Sequence, residues 1–264
     1  MGTTSKASQR ITALLDENSF VEIGALVTAR ATDFDLKQTE TPSDGVITGY
    51  GVIDGNLVYV YSQDAAVLNG SVGEMHAKKI TNLYDLAMKT GAPVIGLIDS
   101  AGLRLQEGAD ALNAFGEIYS KQVMASGMIP QITAIFGNCG GGIAIFPTLT
   151  DFTFMEKAKA KLFVNSPNAI DGNEISKCDT SAAAFQSEEA GIVDVVVEED
   201  EIYGKIRELI GFLPANCDDE AVSDCTDDLN RASAELANCV GDTSIALSQI
   251  ADAGVFFETK ADYG

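Results

Sequence analysis

The stretch Val94-Ile95-Gly96-Leu97-Ile98-Asp99-Ser100-Ala101-Gly102-Leu103-Arg104-Leu105-Gln106-Glu107-Gly108 passes directly from an apolar pentapeptide into a glycine-containing polar loop. A segment apolar on both faces has to be covered on both faces, which is the situation of a strand inside a parallel sheet. Residues 58–61 before it and 132–136 after it have the same character. Between the first pair, Ile80, Leu83, Tyr84 and Ala87 recur at i, i+3, i+4 and i+7. Between the second pair, Ala111, Leu112, Phe115, Ile118, Tyr119 and Val123 do much the same, so each interval reads as an amphipathic crossover helix. Gly91 with Pro93, and Gly127 with Pro130, are stop signals for the two helices. Residues 57–136 therefore predict two consecutive βαβ units in an α/β fold.

Outside this segment, residues 46–53 and 57–61 flank Asp54-Gly55-Asn56, a hairpin signal. Further strands are expected over 152–155, 162–164 and 192–197, followed by a helix near 201–212. Residues 1–215 are expected to form one domain. Residues 216–264 carry eleven Asp and Glu against Arg231 and Lys260, and read as an acidic linker and tail, with a short helical pattern over 245–250. The part from Asp218 to Asp228 is expected to be a solvated connector.

The chain has 264 residues and a formal charge of -22. So acidic a surface repels nucleic acid and anionic lipid, and neither is an expected partner. With no apolar run near the roughly 20 residues of a membrane span, and a polar start, a cytoplasmic location is expected. The five cysteines, Cys139, Cys178, Cys217, Cys225 and Cys239, include no C-x-x-C pair and read as reduced thiols. One histidine and no ligand cluster give no support for a metal site.

In open α/β sheets, ligands gather at the carboxyl ends of the strands. Three loops fall there: Asn69-Gly70-Ser71-Val72-Gly73, the segment following Ile98, and Gly137-Asn138-Cys139-Gly140-Gly141-Gly142. Adjacent glycines leading into a helix leave backbone amides free of Cβ atoms and of intrahelical partners, so that two can converge on one oxygen. The competing reading is a tight turn packed closely on its neighbours. The glycines fit neither a dinucleotide fingerprint nor a P-loop. Residues 69–73 suggest a nucleophile elbow at Ser71 but have Asn69 in place of its first glycine, and the position of His76, one turn before Ile80, suits a packed histidine better than a general base. Asp99 reads either as catalytic or as a capping residue, and Arg104 either as an anion ligand or as a partner of Glu107.

Three longer motifs extend these loops. They are Gly70-Ser71-Val72-Gly73-Glu74-Met75-His76-Ala77-Lys78-Lys79-Ile80, the segment from Asp99 to Gly108, and the glycine run followed by Pro147-Thr148-Leu149-Thr150-Asp151-Phe152. Together they resemble the amino-terminal half of biotin-dependent acyl-CoA carboxyltransferases, the family of propionyl-CoA and acetyl-CoA carboxylases and of methylmalonyl-CoA and glutaconyl-CoA decarboxylases. The likeness runs from about Arg10 to Phe212, and Ile250-Ala251-Asp252-Ala253-Gly254-Val255-Phe256-Phe257-Glu258 is similar to the start of the family's second half. It departs at Asn138, where proline is common, and at Gly140, often alanine. A zinc ribbon of the bacterial acetyl-CoA type is not found, which favours the propionyl-CoA or decarboxylase branch.

The resemblance implies a crotonase-like ββα superhelix and transfer of a carboxyl group between an acyl-CoA and biotin carried by another protein. Gly141 and Gly142 would supply an oxyanion hole, and Gly70, Ser71, Gly73, Ala101, Gly102 and Arg104 would line the acyl-CoA site. Implied partners are a biotin carrier protein, a separately encoded carboxyl-terminal half, and a biotin carboxylase or a membrane sodium-pump decarboxylase subunit, within an oligomer. Two rival functions remain. One is a crotonase-type hydratase or isomerase, for which Glu74 and Glu107 are the candidate acid/base groups. The other is a non-catalytic CoA-binding subunit.

Overall fold

In the computed structural model, residues 5–30, 40–219, 227, 228, 230–238 and 241–263 are described. The chain divides into two compact units, one comprising residues up to Asp219 together with 260–264, the other 220–259.

The larger unit opens with helix α1 (Lys6–Leu14), whose first turn is capped by the Ser5 side chain accepting from Ser8 N. An eight-stranded sheet follows, in the order β1-β2-β3-β4-β5-β6-β8 with β7 beside β5. Strands β1 (Val21–Ile23), β2 (Val46–Ile53) and β3 (Asn56–Gln63) are antiparallel, and Asp54-Gly55 turns the expected hairpin with both residues at positive φ. From β3 onward the sheet is parallel. Helix α2 (Glu74–Thr90) crosses to β4 (Val94–Ser100), and α3 (Ala109–Ala125) crosses to β5 (Gln131–Gly140). These are the two expected βαβ units. Strands β6 (Phe152–Glu156), β7 (Lys161–Phe163) and β8 (Val195–Val197) complete the sheet, with the four-residue helix α4 (Phe146–Leu149) before β6 and helix α5 (Glu199–Phe212) after β8.

The stripe on α2 is buried as its spacing predicts, Ile80, Leu83, Tyr84 and Ala87 all facing the sheet. On α3 the expectation needs correction. Ala111, Phe115 and Ile118 point inward, but Leu112 and Val123 are exposed, and Ala114, Gln122 and Ala125 take the inner positions. Helix α3 packs chiefly against α2, not directly on the sheet, so its inner side is set by that helix pairing, where alanines and Gln122 alternate with Phe115 and Ile118. The expected strand over 192–197 begins only at Val195, since the amides of Ile192 and Val193 reach the Gln186 carbonyl instead of a ladder partner.

Two features of β5 shape the site. Its first half pairs with β6 through Ile132–Ile135 and its last three residues pair with β7, so its ends have different neighbours. Against β4 the register jumps from Ile98↔Ile135 to Ser100↔Cys139. Gly137 lies in this irregularity, where a Cβ would stand 2.1 Å from Asp99 Oδ1. Only a residue without a side chain leaves room for that carboxylate.

In the smaller unit, helix α6 (Thr243–Ile250) is capped by Asp242, and Asp227 ties Arg231 Nε to the Ala253 amide. Most of the acidic stretch from Asp218 to Asp228, and Cys225 and Cys239, lie outside the described residues. Of the other cysteines, Cys139 is buried and Cys178 and Cys217 are exposed, all as free thiols. Among the described residues, no helix is long and apolar enough to cross a membrane.

Candidate functional site

The carboxyl ends of β3, β4 and β5 release their loops at one edge of the sheet, and backbone hydrogen bonds lock these loops together. Val72 N donates to Gly102 O at 2.8 Å and Arg104 N to Val72 O at 3.0 Å, a short parallel bridge between the first two loops. Ala101 N donates to Asn69 O, Ser100 Oγ to Gly70 O at 2.7 Å, and Gly102 N to Ser100 Oγ. Contact is close enough to exclude side chains. A Cβ on Gly70 would lie 2.3 Å from Asp99 O, and one on Gly102 would lie 2.9 Å from Gly140 O. The second loop thus also abuts the third. The expected site residues are brought together, but mainly as an interlocked backbone: Gly70, Ser71, Gly73 and Gly102 are buried and Ala101 is exposed.

Gly141 and Gly142 begin the short helical turn Gly141–Ile145 that leads from β5 into α4. Gly141 has φ +65 and open space where its Cβ would be, so its side is unobstructed. The Gly142 carbonyl accepts a hydrogen bond from Tyr119 Oη at 2.6 Å, and Cys139 Sγ lies 3.4 Å from Ile143 O. Burial raises the Tyr119 hydroxyl above the usual tyrosine range, so it remains a donor at neutral pH. Nothing in the hydrophobic spacing of α3 separates Tyr119 from its packed neighbours, which is why sequence reasoning did not single it out.

Arg104 is committed inside the protein. Its guanidinium meets Asp44 Oδ1 at 2.6 Å, Glu107 Oε1 at 3.0 Å, Ser71 O at 2.6 Å and Ser71 Oγ at 3.3 Å. Its side chain is 3% exposed, and Asp44 and Glu107 are as deeply buried. Of the two readings of Arg104, the structure realises the pairing with Glu107 and adds Asp44, a residue the sequence reading did not single out; the head is not presented to an anion. Glu107 Oε2 in turn accepts from Glu74 N, the first amide of α2, at 2.6 Å. Glu74 pairs with Lys78 and Arg30, and the Lys78 bond holds its carboxyl below the usual range. Of the two carboxylates that a hydratase would need, Glu107 is committed inside the fold and Glu74 is paired with cations at the surface.

His76 is wholly buried behind this cluster. Its Nδ1 donates to Asp44 O at 2.9 Å, which leaves Nε2 to accept from Gln63 Nε2 at 3.2 Å, and Gln63 Oε1 accepts from Asp99 N. Burial, and then the Arg104 charge, push its pKa down to about 3. It is neutral and packed, as the sequence suggests. Lys79 beside it donates to Ser43 O and Val46 O, and burial lowers its pKa to about 8. Burial outweighs Arg104 at Asp44 and raises that carboxyl. Asp99 itself meets Arg10 Nη1 at 3.1 Å, and Arg10 also pairs with Glu199 and lies over the Phe136 ring. Asp99 thereby anchors α1 and α5 to the strand end.

This arrangement offers backbone amides at a glycine turn and no free nucleophile or acid/base pair, chemistry suited to stabilising an anion formed on a bound substrate. A family described as "Carboxyl transferase domain" matches residues 4–264, and the chain belongs to it. It is 39% identical over 97% of its length to the propionyl-CoA carboxylase beta chain of Roseobacter denitrificans, of which it covers 53%, and equally so to the methylmalonyl-CoA decarboxylase subunit alpha of Veillonella parvula. The chain spans about half the length of these relatives. A crystal structure of transcarboxylase 12S, described as a hexamer assembly with methylmalonyl-coenzyme A bound, is 34% identical with a TM-score of 0.92 over 98% of this chain and 52% of that one. The beta subunit of Pseudomonas aeruginosa geranyl-CoA carboxylase is 25% identical over 81% of this chain and 40% of its own, with a TM-score of 0.69. The fold is the crotonase-like α/β fold expected.

Proposed function

We propose that this chain is an acyl-CoA-binding carboxyltransferase domain, working on a carboxyl group exchanged between an acyl-CoA and biotin held by another protein. The observation that carries the reading is the Gly141–Gly142 turn, open on its Gly141 side, at the edge where three interlocked loops converge. The names of the relatives, which carboxylate propionyl-CoA or decarboxylate methylmalonyl-CoA, supply the substrate class.

In this reading the Gly141 and Gly142 amides donate to the thioester oxygen as it gains enolate charge, a donor pair of the kind whose members are each worth about 3 kcal/mol of barrier. Biotin, when presented, supplies or accepts the carboxyl group. The chain's own task is to fix the thioester, exclude water and offer the amides without reorganisation. The acyl-CoA lies over the exposed rim of the loops, at Ala101 and Asn69, with Gly70, Ser71, Gly73 and Gly102 holding the rim in shape. Arg104 contributes as the internal clamp of the same rim. A biotin carrier and a second crotonase-like half complete the reaction, the latter on whichever polypeptide provides it. A biotin carboxylase or a membrane decarboxylase subunit sets the direction, and the assembly is oligomeric.

Calorimetry of the chain with acetyl-, propionyl- and methylmalonyl-CoA tests the reading. Saturable binding of at least one, lost on blocking the turn by Gly141→Leu, is expected. Absence of heat and of thermal shift with all three overturns it.

A further inference from the structure

We infer that the Tyr119 hydroxyl is a positioning group for the glycine turn: through the Gly142 carbonyl it holds the Gly141 and Gly142 amides in the orientation that receives the thioester oxygen. The inference deepens the carboxyl-transfer reading and rests on it.

A run of three glycines has no side chains to restrict its torsions, and a pair of amides that must converge on one point cannot be left to swing. Gly142 is the hinge between the two amides and the rest of the turn. A hydrogen bond to its carbonyl restrains the Gly142–Ile143 peptide plane, which joins the Gly142 amide through a single α-carbon. The donor comes from Tyr119 on α3, at 2.6 Å. This distance is that of a well-formed hydroxyl hydrogen bond, and the donor ring is packed in place. Its ring packs at 5.9 Å against Phe115 and, edge-on at 90°, at 5.9 Å against Phe146, the first residue of α4 immediately after the turn. The ring that carries the donor is thus pinned to the helices on either side of the bond. The fit also runs the other way, since a Cβ on Gly142 would stand 3.1 Å from the Tyr119 oxygen. The thiol of Cys139 on the next carbonyl is a weaker donor at 3.4 Å, so the burden of orientation falls on the phenol.

Tyr119→Phe removes the hydroxyl and keeps the ring between Phe115 and Phe146. Two probes separate a positioning role from a structural one in the full chain: propionyl-CoA, and a CoA thioether whose nitronate group imitates the thioester enolate. The variant is expected to lose about tenfold in affinity for the nitronate while propionyl-CoA binding stays within about twofold, because only the charged ligand depends on amide aim. In the ligand-free protein, the backbone amide resonances of Gly142 and Ile143 are expected to shift in the variant. Equal weakening of both ligands, unchanged nitronate affinity, or unmoved amide resonances would overturn the positioning role alone. Wild-type protein that binds the nitronate no more tightly than propionyl-CoA would instead overturn the carboxyl-transfer reading, and the inference with it.

Discussion

Gly141 and Gly142 are neighbours under different constraints. At Gly141 the backbone is left-handed and the space beyond it is open, so alanine there meets only its own backbone penalty, about 1–2 kcal/mol. At Gly142 the backbone is ordinary but Tyr119 and Phe115 stand at 3.1 and 3.5 Å from the Cβ position, so valine must displace an aromatic cluster. Urea denaturation should show Gly142→Val to be the more destabilising by at least about 1 kcal/mol, in the range typical of overpacking. His76 supplies a second prediction at this scale. Its folded pKa of about 3 lies below the unfolded value of 6.5, so the unfolded state takes up the proton first as pH falls. Its contribution is complete above pH 6.5 and is lost on acidification toward pH 3, at about 1.4 kcal/mol per unit. Asp44, raised by burial, titrates with the opposite sign, so the difference between wild type and His76→Gln isolates the histidine. Stability curves of the two proteins between pH 7 and 5 should converge. That His76 is packed was readable from its place one turn before Ile80. That its pKa falls so far was not, because complete burial, the main cause, and the Arg104 charge that adds to it both come from segments brought over it by the fold.

Among the elements, α2 obeyed its spacing and α3 did not, and the reason is the partner each helix packs on: α2 lies on strands β2 and β3, whereas α3 lies against α2. Phe115 and Ile118 are buried beneath α3 beside the equally buried Ala114 and Ala125. Phe115→Ala should cost about 3–5 kcal/mol in chemical denaturation. Leu112→Gln and Val123→Gln, on the 66% and 59% exposed side, should each stay within about 0.5 kcal/mol. A stripe read from hydropathy alone ranks these four residues together. The period of a pattern fixes which side of a helix faces inward only to within a residue or so, and the depth of the groove decides the rest. The same geometry raises Tyr119 from a stripe residue to the partner of the glycine turn.

At the scale of the molecule, the Arg104 cluster joins three segments that are distant in the chain: the turn at Asp44, the loop at Ser71 and the entry to α3 at Glu107. All its members are buried, so removing the guanidinium strands two carboxylates away from water. Arg104→Met should cost about 3–5 kcal/mol. Arg30→Met should cost no more than about 1 kcal/mol, since its pairs with Glu74 and Asp110 are exposed to solvent. Thermal unfolding of the two variants distinguishes a clamp from a surface anion site, for which both losses would be small. The cluster also ties a loop edge rich in glycine from beneath: Arg104 holds the Ser71 carbonyl and Glu107 the Glu74 amide.

The sequence by itself determined the parallel sheet, the two crossover helices, the hairpin and the three glycine loops at one edge, because these follow from short continuous apolar runs, helical spacing and turn chemistry. It also carried the family resemblance in its ordered motifs. Only the tertiary structure decided what the side chains at that edge do. Arg104 is turned inward, Asp44 joins it, Glu74 and Glu107 are engaged with neighbours, and Tyr119 reaches the Gly142 carbonyl from a helix 23 residues earlier in the chain. Each of these depends on a partner far away in sequence, and such partners are set by the packing of helix on sheet, not by spacing along the chain.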